Sequence, residues 1–529
     1  MKERFILNVI HRPEMVPEYA EKVTGHGKEE NISRKALLTE SLDIFKTQQA
    51  IAHKNGIKTT IQMTYASLFN DEAVATCWEE GPKAYHTCNN SWYTLFDGGP
   101  WNPWIPSKQN THAPAANAAE DSGIVAIPHL SRDLLACFDG NGSNFGTHPQ
   151  NVLRGMIYKP GSFDEQGNYS GQEYPYLYNL IDQYRSLGKY NDGYSYNMMF
   201  VGPGWMNKMG RWEAPYELLL QSYEDGMAYY AQLKREGKLE DMTMAEFADF
   251  YRAGHTYTQP ECALWRDILY GSDKQYFWYA DPYMRCCLDM NQGGAMIDLR
   301  PYAAKLYWPV GIGTPHVQDA SYPFLIQANY RAGYFTHYAG EGTIRSCKLT
   351  HKGEEVDLCL CRTWAHFEKQ GSARVLTLDP VEIKFADLTV KVVTTFTVEE
   401  GSSAVKTTRR IVESSDPTAK VELNEYITAC YGTTEYPEDM TGITLALQGA
   451  GESRCIAYEY RCREDQMAGE AAVAVVPPVE TKVTMQAAEE LQVYYKEGYA
   501  FSPMFTLGLK KEIGQDEEVT TWLKLEKAN

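Results

Sequence analysis

The sequence predicts an α/β half followed by a large antiparallel β-sandwich half. Three observations lead there. The chain has 529 residues, too many for one hydrophobic core, so two or three domains are expected. Its first part alternates apolar strand runs with helical spacing, the rhythm of a parallel sheet or barrel. From about residue 275 it changes to short β-favouring segments divided by turn pairs, the rhythm of an antiparallel sandwich.

The elements follow in order. Phe5 to Ile10 is a near-continuous apolar run, as in a strand buried on both faces, and it ends in His11-Arg12-Pro13-Glu14. Residues 34–54 carry Leu37, Leu38, Leu42 and Phe45 on one helical face, and Asn55-Gly56 stops that helix. A strand at 58–63, a helix at 71–80 and a strand at 83–87 come next. Residues 88–120 have little periodicity and read as a long loop, a common place for function. Gly123 to Ile127 is a buried strand, residues 139–149 a second loop, and Tyr196 to Val201 a strand ending in Gly202-Pro203-Gly204-Trp205. Helices follow at 215–236 and 244–252, the latter with Thr243 as N-cap and Glu246 three residues on. In the second half, strands are expected at 284–290, 388–398, 404–412, 420–429 and 491–495. Gly293-Gly294, Glu400-Gly401 and Ser415-Asp416 are the turns.

Composition narrows the function. The formal net charge of −19 repels phosphate backbones, which argues against nucleic acid as a partner. No segment has the length of a membrane span, and the apolar run after Met1-Lys2-Glu3-Arg4 is too short for a signal sequence, so a cytoplasmic location is expected. Twelve cysteines without a CxxC pair read as buried free thiols in a reducing compartment. The 37 Tyr, 11 Trp and 18 Phe supply apolar faces with polar edges, which match sugar rings.

Two features resemble known families. Tyr283 to Arg300, with Gly293-Gly294 at its corner, resembles the opening of a galactose-mutarotase-like supersandwich, and Thr394–Val398 with Arg409-Arg410-Ile411-Val412 resembles a hairpin of the same domain. His11-Arg12-Pro13 is similar to the His-Gln-Pro motif that begins family 57 glycoside hydrolases, with Arg12 in place of Gln. This resemblance implies an incomplete (β/α)7 barrel joined to a C-terminal supersandwich, as in family 38 α-mannosidases, with the barrel shared by polysaccharide deacetylases. On it, residues 1–270 form the catalytic domain and residues 275–529 the sandwich. It also implies a bacterial-type glycosidase. The family 57 nucleophile motif, and the Asp-Asp and His-x3-His spacing of a deacetylase, are not found in the chain.

Site residues are therefore read from strand ends, where parallel α/β folds place their chemistry. Glycoside hydrolysis needs two carboxyl groups. Asp139 and Glu213 are the leading pair, each after an apolar run and near a Gly-containing loop; Glu14, Asp97, Asp133 and Asp281 compete with them. His11, Glu14, His86 and His148 are expected to bind substrate, with Trp92, Trp101, Trp104 and Trp205 as stacking platforms. Gln62 and Tyr65 also lie at a strand end. No cofactor is required. A scattered zinc site from His11, His86, His129 and His148 is the route to the rival reading, a metal-dependent deacetylase or mannosidase-like enzyme. A second rival is a glycan-binding protein without turnover. The sandwich segment Trp278–Asp281 is a candidate to reach the site. Sugar, linkage and oligomeric state stay open.

Overall fold

The computed structural model describes residues 4–13, 15–25, 27–33, 39, 41–63, 66–80, 88–89, 103–109, 114–126, 185, 194–201, 216–255, 257, 260–266, 275–302, 326–327, 345–430, 444–448, 453–455, 463–476, 481–499 and 503–528. All that follows concerns them.

The first half is built on strand β1 (Arg4–His11), buried from Phe5 onward as its apolar run requires. Helices α1 (Ala20–Thr24), α2 (Lys28–Ser33) and α3 (Asp43–Lys54) precede β2 (Thr59–Ile61). Helix α4 (Asp71–Glu80), the short strands β3 (Cys88–Asn89) and β4 (Val125–Ala126), and β5 (Tyr194–Val201) follow. Helix α5 (Tyr216–Arg235), β6 (Glu240–Asp241) and α6 (Met244–Gly254) complete it.

The sheet is parallel. β1 lies between β5, which it pairs along its whole length, and the edge shared by β2 and β6. Helix α3 packs on one face through Phe45, Gln49 and Ala52, all buried. Helix α5 lies beside it and carries the buried stripe Leu219, Tyr223, Met227 and Tyr230. Helix α6 packs on the opposite face. There the Arg4 guanidinium sits 4.5 Å over the Phe250 ring, and the Met244 N–H donates to Thr60 Oγ1 at 2.9 Å. The Thr243–Glu246 capping box is present, with both reciprocal hydrogen bonds made.

Two expectations need correction. The incomplete barrel is not seen: among the described residues β2, β1, β5 and β6 form a four-stranded parallel sheet, and β3 pairs with β4 in a separate two-stranded one. Helix α3 begins at Asp43 rather than at residue 34. Residues 34–38 lie outside the described set, and Thr39 forms an extended bridge with Met15 in which its carbonyl accepts the Val16 N–H at 2.9 Å. Leu42 and Phe45 are buried as expected, in a cluster with Met15 and Ala73.

The second half is one hydrogen-bonded antiparallel system that closes on itself. It already includes β7 (Glu261–Arg266), which pairs with β8 (Gln275–Ala280), ahead of the expected change near residue 275. β9 (Met284–Asp289) and β10 (Ala295–Pro301) meet at the Gly293-Gly294 corner. Both glycines have positive φ, and a Cβ on Gly293 would come within 2.0 Å of the Leu358 carbonyl oxygen. The strands Thr389–Glu399, Ala404–Ser414 and Val421–Cys430 stand where the sequence pattern puts them. Their alternating residues enter a single core with Phe277, Leu349, Phe396, Leu509 and Leu523. Cys262, Cys286, Cys287 and Cys347 are buried free thiols, and Cys359 and Cys361 are half-buried ones. No helix among the described residues is long and apolar enough to cross a membrane.

Candidate functional site

The site is built from the carboxyl end of β1. Successive strand residues point to opposite faces. His11 faces the helices α3 and α5, as do Thr59 and Ile61 on β2. Asn8 and Thr60 face α6 and the chain leading to it: Asn8 Nδ2 donates to the Met242 carbonyl at 2.6 Å. Arg12 and Gln62 follow directly on the ends of β1 and β2.

His11 is fully buried. Its Nδ1 lies 2.6 Å from Gln49 Oε1 on α3, and its Nε2 meets the Tyr223 hydroxyl on α5. An amide oxygen only accepts, so Nδ1 carries the proton and Nε2 accepts from the phenol. Burial is the main force on the ring. It lowers the pKa to about 4, with His53 adding to the shift and the Gln49 bond opposing it. The imidazole is neutral at pH 7. Burial also raises the Tyr223 phenol, so that group keeps its proton. Both ring nitrogens are thus engaged inside the protein, and neither offers a lone pair to a metal.

Arg12 is buried at 8% exposure, and its Nε donates to Gln62 Oε1 at 3.2 Å. The Gln62 N–H donates to the His11 carbonyl at 2.9 Å, which continues the β1–β2 pairing past the strand ends. The turn beyond is held by two side chains: Ser67 Oγ donates to the Pro13 carbonyl at 2.7 Å, and Asn70 Nδ2 to the Val16 carbonyl at 3.0 Å. Tyr19, Leu68 and Phe69 are exposed on the two segments next to this turn.

The expected site residues fall into two groups. Asp139, Glu213, Glu14, His86, Trp92, Trp101, His148 and Trp205 lie outside the described residues, as do Asp97, Asp133, His129 and Tyr65. His11 and Trp104 are described. Trp104 is 2% exposed and bridges Ala126 through two backbone hydrogen bonds, so its ring presents little surface. Asp281 is also described. It accepts from the Tyr279 hydroxyl at 2.7 Å and from the backbone N–H groups of Tyr283, Met284 and Gly401 at 2.7, 2.9 and 3.0 Å. Burial raises its pKa, and those bonds oppose the shift. Asp281 pins a corner of the sandwich, and Trp278 beside it is buried in β8. Gln49 and Tyr223 are the two members of the His11 group that sequence reading missed. Their signal was a polar atom on a buried stripe, Gln49 four residues after Phe45 and Tyr223 four after Leu219.

No known family matches the chain, and no curated protein matches it. Solved structures are similar at low identity. A 4-alpha-glucanotransferase from Thermococcus litoralis aligns at 9% identity and TM-score 0.32, covering 99% of this chain and 100% of that one. A protein designated a glycoside hydrolase/deacetylase from Parabacteroides distasonis aligns at 13% identity and TM-score 0.40, covering 57% of this chain and 85% of its own. A galactose mutarotase-like protein from Clostridium acetobutylicum aligns at 8% identity and TM-score 0.31, covering 50% and 98%. Superposition this loose assigns no activity.

Proposed function

We propose that this chain is a carbohydrate-active hydrolase that cleaves glycosidic bonds of a small or soluble glycan at the carboxyl end of β1. One observation carries the reading. β1 is flanked on both sides by parallel strands, and ligands of open α/β sheets bind at the carboxyl edge where strand order reverses. Polar side chains converge at that edge, around a strand end that resembles a glycosidase motif.

Asp139 and Glu213 are assigned as the two carboxyl groups. One protonates the leaving oxygen, and the other attacks the anomeric carbon or activates water. Trp92, Trp101 and Trp205 are the assigned stacking surfaces. His11 acts from behind the strand end: it holds α3 and α5 against β1 and so fixes the position of the residues after it.

Hydrolysis of a panel of nitrophenyl glycosides, with and without chelator, tests this reading. Turnover that survives the chelator is the expected result. Loss of turnover with chelator would replace it with the metal-dependent mannosidase or deacetylase reading. Sugar binding without any turnover would leave a glycan-binding protein.

A further inference from the structure

We propose that the outer face of the sandwich sheet built by Thr389–Glu399, Ala404–Ser414, Glu518–Lys527 and Thr481–Tyr499 binds an acidic saccharide, one that carries a uronate-type carboxylate. Trp522 takes the sugar ring, and Lys406 and Lys524 take the carboxylate. This surface uses no residue of the β1 edge, and it stands whether or not that edge hydrolyses glycosides.

Strand register is the first argument. Thr397 pairs with Lys406, Lys406 with Trp522, and Trp522 with Gln486, so these residues form one row across four strands. Neighbours in such a row point to the same face. Burial shows which face it is. Val398, Val405, Leu523 and Met485, each next in sequence to a member of the row, are buried in the sandwich core. The row therefore points away from that core, and its members are half-buried. Lys524 follows two residues after Trp522 on the same face, diagonal to Lys406. At the usual strand spacing the row spans about 14 Å, room for more than one sugar ring.

Chemistry is the second argument. Among the described residues the Trp522 indole makes no hydrogen bond and no ring stack. An indole offers an apolar face and a polar edge, which match the C–H face and the hydroxyl rim of a pyranose. Lys406, directly opposite, makes no ion pair or hydrogen bond among the described residues. Lys524 Nζ donates to Gln486 Oε1 at 2.8 Å, a neutral partner, and the Gln486 amide keeps its own N–H donors for a hydroxyl. Charge decides the class of saccharide. The acids further along the same face are engaged: Glu399 accepts from Ser372 Oγ at 2.9 Å, and Glu526 is paired with Lys482 at 3.2 Å. Two ammonium groups thus flank one indole with no carboxylate on either among the described residues, in a chain of net charge −19. Like charges side by side are destabilising. A carboxylate on the sugar offsets both, and a neutral glycan would leave both unmatched.

The test measures binding of a galacturonic acid trisaccharide to the full chain by calorimetry, with maltotriose as the neutral comparison and a tetraglutamate peptide as the acidic one. The variants are Trp522→Ala, Lys406→Gln and Lys524→Gln. Lys391→Gln is the control, because Lys391 lies on the same face outside the row and is paired with Glu413 at 2.7 Å. The native chain is expected to bind the acidic trisaccharide and neither comparison. Each row variant is expected to weaken that binding about tenfold or more, the worth of one stacking or charge-assisted contact, while Lys391→Gln leaves it unchanged. Lys406→Gln decides the matter if Trp522→Ala folds poorly. No binding of the trisaccharide, or binding that Lys406→Gln leaves unmoved, overturns the proposal. Equal weakening by Lys391→Gln, or equal binding of maltotriose, overturns it too. A peptide bound as tightly and lost in the same variants replaces it with a docking site for an acidic protein segment. Nitrophenyl glycoside turnover, read alongside, is expected to be unchanged in every variant, which keeps failure here distinct from failure of the glycosidase reading.

Discussion

His11 is a neutral imidazole held between an amide and a phenol, and that state has a pH signature. Its pKa falls from an ordinary 6.5 to about 4 on folding, chiefly through burial. Between those values the unfolded chain takes up a proton that the folded chain refuses. Stability from this site is therefore complete above pH 6.5 and is lost as pH falls towards 4, by roughly 3 kcal/mol over the whole span. Melting temperature followed from pH 7 to 4 should drop more steeply for the native chain than for His11→Asn. Parallel curves for the two would show that the ring is not buried in the neutral form. The strand-end position of His11 was legible, because an apolar run followed by a proline marks where the strand stops. Its surroundings were not. Gln49 lies 38 residues away and Tyr223 lies 212 away, and nothing local couples them. Arg12 stood in plain view as a departure from a motif, yet its bond to Gln62, 50 residues on, was not legible.

Among the elements, the sandwich strands carry two features that stability measurements can reach. Gly508 faces the Tyr494 ring so closely that an added Cβ would come within 2.2 Å of it, while the Tyr494 hydroxyl donates to Asn424 Oδ1 at 2.9 Å. Gly508→Ala should destabilise the protein by about 1–3 kcal/mol, the usual cost of overpacking. Adding Tyr494→Ala should restore part of that loss, and full additivity of the two changes would show that the contact is not made. The second feature is Arg409, buried with Glu425 in the core. Its guanidinium forms a two-point ion pair with that carboxylate and donates to Thr394 Oγ1 at 2.9 Å. Removing one charge strands the other, so Glu425→Gln should cost about 3–5 kcal/mol in denaturant unfolding. A double replacement, Arg409→Met with Glu425→Leu, should cost less than the single one. The reverse order would mean that the pair stabilises the fold beyond a well-packed apolar core. These strands were legible from their period-two patterning and turn glycines. The Arg409–Glu425 pair was not, because a charged residue on an alternating strand reads as an outward one.

The molecule as a whole joins an open parallel sheet to a closed antiparallel one. Sequence pattern alone cannot tell an open sheet from a barrel, since both are strand–helix repeats; what distinguishes them is the strand pairing, and β1 pairs with strands that lie 50 or more residues away along the chain. The change to antiparallel structure was legible as a shift in segment length and turn spacing. Its start was read late, because the short strand at Glu261–Arg266 carries no alternation of its own and gains its place only by pairing with Gln275–Ala280. At this scale the proposal to be tested is a glycosidase centre at the carboxyl edge of β1 with Asp139 and Glu213 as its two acids. Turnover of nitrophenyl glycosides by the native chain, set against Asp139→Asn and Glu213→Gln, tests that claim most directly. Measurable hydrolysis is expected in the native protein, with a fall in kcat on the order of 10²–10⁴-fold in each variant and folding intact. Full activity in either variant would remove that residue from the chemistry, and full activity in both would contradict the two-acid centre itself.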